Sequence, residues 1–171
     1  PSFSAMQSLI MASGLYKYDR NQLAQWLRNR PMEVNLSITE YIDGMQARSK
    51  TDGVDDLFSY LYLVLNKQRF DQQIFDKWLQ RKRYIYDSNP QQGREAVDRE
   101  ISELLNPITE ANPREDNAFY DKMKLSDLPR LYAEHFGDAS QLTGCLVGDI
   151  SEAEAKRIVT TYLAALPGNP K

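Results

Sequence analysis

At 171 residues, 42% of them hydrophobic and 11% aromatic, the chain has the length of one domain and enough apolar side chains to build a core, which excludes intrinsic disorder. Its 21 Lys and Arg stand against 24 Asp and Glu, a formal net charge of -3, so no overall positive field draws it onto nucleic acid or anionic lipid. One Cys and one His exclude an internal disulfide and any zinc site that takes two imidazoles from this chain.

The first helix is expected from Ser4, as its cap, to Gly14, with Met6, Leu9 and Ile10 on one face. Asp19 opens a second, carrying Leu23, Trp26 and Leu27 and ending before Pro31. From Glu33 the period becomes two: Val34, Leu36 and Ile38 alternate with Asn35, Ser37 and Thr39, the signature of a half-buried strand. Asp43-Gly44 reads as a turn, with residues 45–50 returning as an antiparallel partner. Three helices follow: Asp55 to about Asn66, with Leu57, Phe58, Leu61, Tyr62 and Leu65 inward; Asp71 to Asn89-Pro90, with Ile74, Phe75, Trp78, Leu79 and Ile85; and Arg94 to Leu105, with Ala96, Val97, Ile101, Leu104 and Leu105. A polar loop over 107–115 is expected to be the mobile segment. A short helix runs from Ser126-Asp127-Leu128 through His135, Leu142 to Val147 reads as a buried strand, and Ser151 with Glu154 has capping-box spacing before a helix bearing Ile158, Val159, Tyr162, Leu163 and Leu166. Residues 167–171, Pro-Gly-Asn-Pro-Lys, read as a linker.

Three strands among six or seven helices leave the strand near Cys145 without a sequence-adjacent neighbour, so partner strands are expected outside the chain. The longest strongly apolar run, Leu61-Tyr62-Leu63-Val64-Leu65, is far shorter than the roughly 20 residues a membrane span requires. Residues 1–4 lack the cationic start and apolar run of a secretory signal.

Little in the chain matches a known catalytic pattern. His135 falls on a helix beside Phe136 and Cys145 in the buried strand, which makes them a half-buried helical imidazole and a core thiol. An enzyme using these two residues is the rival reading, since they form the one available base and thiol pair. Glycine-rich phosphate loops and a G-x-S-x-G elbow are absent. The run Lys77-Trp78-Leu79-Gln80-Arg81-Lys82-Arg83-Tyr84 has the composition of a nucleic-acid patch. The acidic stretch downstream, Glu95 to Asp121, offers the simpler account of charge pairing between helices.

Over nearly the whole chain the order of elements resembles the pitrilysin/insulinase family of zinc peptidases, in particular its non-catalytic second half. The segment His135-Phe136-Gly137-Asp138-Ala139 through Val147-Gly148-Asp149-Ile150 is similar to that family's strand entry, and Ala153 to Pro167 to the helix after it. Upstream, Ser13-Gly14-Leu15, Asp55-Asp56-Leu57-Phe58, Leu61-Tyr62-Leu63 and Arg69-Phe70-Asp71 follow the same order. The family's active half carries His-x-x-Glu-His on its first helix, two zinc ligands and a general base. Laid on this chain, the motif puts Ser4 and Ser8 at the His positions and Gln7 at the Glu, while Leu79 to Tyr84, where a third ligand belongs, holds no carboxylate.

The resemblance therefore implies an α+β fold, a two-layer α/β sandwich with a mixed or antiparallel sheet and helices on one face, lacking its opening strands. Residues 1–171 would form a single domain of a longer polypeptide, without catalytic, cofactor or metal residues of its own, zinc belonging to the parent's active half. Its partners would be the other domains or a homologous active subunit, with peptide as the parent's substrate, in a bacterial periplasm or cytoplasm; a scaffold or assembly subunit with no proteolytic partner is the alternative.

Overall fold

The computed structural model describes residues 3–38, 42–88, 94–105, 108 and 114–168. In chain order these form α1 (Phe3–Ala12), α2 (Arg20–Leu27), β1 (Met32–Ile38), β2 (Asp43–Ser49), α3 (Val54–Asn66), α4 (Gln72–Ser88), α5 (Arg94–Leu105), α6 (Asn117–Asp121), α7 (Leu128–Phe136) and α8 (Glu152–Ile158), which runs on into a π-helical turn over Val159–Leu163. Most of the 107–115 loop and the last three residues of the 167–171 linker lie outside the described residues.

Local chemistry sets several boundaries. Ser4 lies inside α1 rather than capping it. Gly14 stops the chain at φ 88°, where a Cβ would stand 2.4 Å from the Tyr18 carbonyl oxygen. Asp19 caps α2 by accepting from the backbone N–H of Asn21 and Gln22, and Gln22 reaches back to the Asp19 N–H, a complete capping box. Ser151 caps α8 by accepting from the Glu154 N–H at 3.2 Å.

β1 and β2 pair antiparallel from Met32 opposite Ser49 to Ile38 opposite Asp43. Asp43 and Gly44, expected to be the turn, are thus the first two residues of β2. Both join the ladder, Asp43 opposite Ile38 and Gly44 opposite Ser37. Alternation along β1 is as expected: Leu36 and Ile38 are buried and Glu33, Asn35 and Ser37 exposed.

The helices cover one face of this sheet. Leu36 and Ile38 pack with Met6 and Ile10 of α1 and Tyr132 and Phe136 of α7. A second cluster joins Leu9 to Phe75 of α4 and Leu128 of α7, and a third joins Leu15 to Tyr60 and Val64 of α3. Along α3 the inward face is therefore turned from the expected one: Tyr60 and Val64 are buried while Leu61, Tyr62 and Leu65 are half-buried. The Tyr132 hydroxyl donates to the Val64 carbonyl at 2.6 Å, tying the first cluster to the third.

The largest departure from expectation is at 142–147, which is exposed throughout and without regular secondary structure rather than a buried strand. The only sheet among the described residues is β1-β2. A strand needs a ladder partner for its N–H and C=O groups and a layer over its side chains; this segment has neither among the described residues, so Leu142, Leu146 and Val147 stand in solvent. Among the described residues there are two strands where three were expected.

Candidate functional site

Two places in the fold were expected to bear on chemistry: α1 with the facing part of α4, and the pair His135 and Cys145. On α1 the apolar positions Met6, Leu9 and Ile10 turn inward, which leaves Gln7 half-buried and Ser8 on the surface; Ser4 lies one turn before Ser8. The helix packs against β1 and α4. The end of α1 is fixed to the start of α4 by the buried Ser13, whose hydroxyl accepts from the Asp71 N–H at 3.3 Å.

The α4 segment Leu79 to Tyr84 carries three cations, two of which stand in ion pairs. Lys82 lies 3.4 Å from Glu115 and over the Trp78 ring, and Arg83 lies 2.6 Å from Asp121. The charge pairing expected between the basic run and the acidic stretch is thus present. Helix α6, which the sequence reading missed, supplies the Asp121 partner and inserts Tyr120, whose ring meets Trp78 edge to face with centroids 5.8 Å apart. Burial first, then the hydrogen bond its hydroxyl donates to Glu115, pushes the Tyr120 phenol far above its usual range.

Zinc does not fit the first helix. The positions to which the resemblance assigns it, Ser4, Gln7 and Ser8, bring two hydroxyls and a carboxamide, none of which is an anionic or imidazole donor, and a carboxamide oxygen is too weakly basic to abstract a proton at neutral pH. Among the described residues no group of three or more His, Cys, Asp and Glu side chains is placed to hold a metal ion.

His135 and Cys145 have different fates. The imidazole Nδ1 sits 2.6 Å from Asp43 Oδ2, both side chains about a quarter exposed or less, so His135 clips the end of α7 to the first residue of β2. Cys145 is exposed, which overturns its expected place in the core; among the described residues 142–147 has no ladder partner to cover it. A contact invisible in the sequence is made by Arg157, which binds Glu154 on its own helix and Asp55 on α3, each at 2.6 Å, while the Tyr162 hydroxyl donates to Asp55 at 2.9 Å. The Arg157 guanidinium, then Tyr162, hold the Asp55 carboxyl below its ordinary value.

This arrangement, a short antiparallel ribbon covered on one face by helices with α1, α3 and α7 against it, has the fold of the pitrilysin/insulinase-like M16 peptidases. The chain is similar, over 97% of its length, to the periplasmic protease PqqL from Escherichia coli (TM-score 0.80, 11% identity) and to the ferredoxin protease FusC, solved in complex with Arabidopsis ferredoxin (TM-score 0.78, 15% identity). It is also similar over 97% of its length to a peptidase M16 inactive domain from Pseudomonas fluorescens, with a TM-score of 0.71 and 17% identity. It spans 18% of each of the first two solved chains and 41% of the third. By sequence, no family model and no curated protein matches it.

Proposed function

We propose that the chain is a catalytically silent domain of a pitrilysin/insulinase-like zinc metallopeptidase, helping to wall the chamber that encloses peptide and packing against the other domains of its polypeptide or a homologous active subunit. One observation carries the reading: α1, where the family's active half bears its zinc motif, offers Ser4, Gln7 and Ser8, and residues 79–84 of α4 offer no carboxylate but three cations, of which Lys82 and Arg83 are paired with carboxylates elsewhere. The Pseudomonas fluorescens neighbour, itself described as an inactive M16 domain, and the small share of PqqL and FusC that the chain spans support it. Residues 142–147 then serve as a strand whose sheet is completed by other parts of the parent.

The test is elemental analysis of the purified chain after exposure to zinc and dialysis, together with incubation with unstructured peptides. The expected result is no retained zinc and no cleavage. Retention of about one zinc per chain, the stoichiometry of a structural or catalytic site, would overturn the proposal. A His-x-x-Glu-His sequence elsewhere in the parent polypeptide is expected, and its absence would favour a scaffold with no proteolytic partner.

A further inference from the structure

None of the described side chains of α5 is buried. The helix nevertheless has a regular apolar stripe, Val97, Ile101, Leu104 and Leu105 at i, i+4, i+7 and i+8, with Ile108 continuing the line beyond its end. Leu104 is 80% exposed and Leu105 75%. A helix of this pattern is built to lay its apolar stripe on another surface. Beside the stripe lies an open groove lined by Glu100, Glu103, Leu104 and Ile108, two aliphatic and two acidic side chains.

The charge around the stripe indicates what covers it. Residues 94–116 hold seven carboxylates and three arginines, a net charge of -4. The whole chain is -3, so the remainder is +1 and the acidic excess is concentrated here. In the basic run of α4, Lys82 and Arg83 are engaged with Glu115 and Asp121 rather than with the carboxylates of α5. Asp98 and Glu103 pair with Arg94 and Arg114 at the surface, and exposed pairs of this kind hold little and exchange readily. A second copy docked stripe to stripe would set acidic flank against acidic flank, which like-charge repulsion opposes.

We propose that α5 is a docking face for a basic amphipathic helix of a partner protein, whose aliphatic residues cover Val97, Ile101, Leu104 and Leu105 and whose Lys or Arg side chains meet Asp98, Glu100 and Glu103. Straight helical spacing on both sides suits ridge-into-groove packing.

The probe is a labelled designed helix of alternating Leu and Lys faces, about as long as α5, with a Leu and Glu helix of the same pattern as control, titrated against the chain by fluorescence anisotropy at low and high salt. The cationic helix is expected to bind saturably, about tenfold or more tighter than the anionic one, and to weaken as salt rises. Leu104→Ser with Leu105→Ser should abolish binding and Glu100→Lys should weaken it, with circular dichroism unchanged because neither leucine is in the core. Equal binding of the two helices, no binding of either, or binding that survives the double leucine variant would overturn the proposal. Self-association that the leucine variant removes, with no cationic helix bound, would assign the stripe to a second copy and overturn it equally.

Discussion

Gly14 holds a φ of 88°, and a Cβ there would press on the carbonyl of Tyr18 and the backbone of Asp19. A left-handed residue with a side chain costs about 1 to 2 kcal/mol before any clash, so Gly14→Ala is expected to destabilise the chain by at least that much in urea denaturation. Tyr132 is 1% exposed and its hydroxyl satisfies the Val64 carbonyl. Removing a buried donor leaves the acceptor stranded, at about 1 to 3 kcal/mol, and Tyr132→Phe should show a fall in midpoint with an unchanged slope. Cys145 gives the third prediction: exposed on a segment without regular secondary structure, it should react with a thiol reagent almost as fast in the folded chain as in denaturant. A slow reaction, released only on unfolding, would place 142–147 under cover.

At the scale of elements, the sequence was most informative where one local signal decides the structure. The Asp19 and Ser151 caps and the alternation of Val34, Leu36 and Ile38 could be read directly, because each depends on side chains within a few residues. What escaped depended on distant partners. Asp43 looks like a turn residue, yet it pairs in a ladder and binds an imidazole ninety-two positions away. The run from Leu142 has strand composition, but composition cannot supply the neighbour that a ladder needs. The candidate site was readable as residue types, Ser4, Gln7 and Ser8, and in the charge pairing of the basic run with the acidic stretch, but not in the particular partners: Asp121, which Arg83 meets, sits on the unforeseen α6. The clasp of α8 on α3 is likewise long-range, and it responds to acid. Asp55 is held below its ordinary value by Arg157 and Tyr162, and Asp71 by Arg69 and then the Ile74 N–H. A lowered folded value means that the stabilisation is complete above the unfolded value, 3.8 for each, and is lost as the pH falls through the folded one. The melting temperature should therefore hold steady through mildly acidic buffers and drop below about pH 4, and Asp55→Asn should make that acid limb shallower.

For the molecule as a whole, a ribbon of two strands and the irregular stretch 142–147 leave backbone donors and acceptors without ladder partners among the described residues. Such edges recruit other strands. The 171-residue chain is expected to self-associate as its concentration rises in sedimentation velocity, and Leu146→Lys with Val147→Lys should suppress this. A longer form of the polypeptide carrying the completing strands should stay monomeric and melt higher, since each apolar side chain newly covered is worth about 1.5 to 3 kcal/mol. Monomeric behaviour of the short chain at high concentration, with no gain in the longer one, would mean that its sheet needs no completion.

The 142–147 segment is also strung between fixed points. On one side the Ala139 N–H donates to the Pro167 carbonyl at 2.9 Å, and Asp138 accepts from the Ser140 N–H; on the other the Ser151 cap leads into α8, which Arg157 fastens to Asp55. A bowstring held at both ends has already given up most of its slack, so a strand arriving alongside it costs less in ordering entropy than joining a free tail would. The same anchoring implies that acid, by loosening Asp55, would slacken the string and weaken strand capture at a distance, with no titrating group in the captured strand itself.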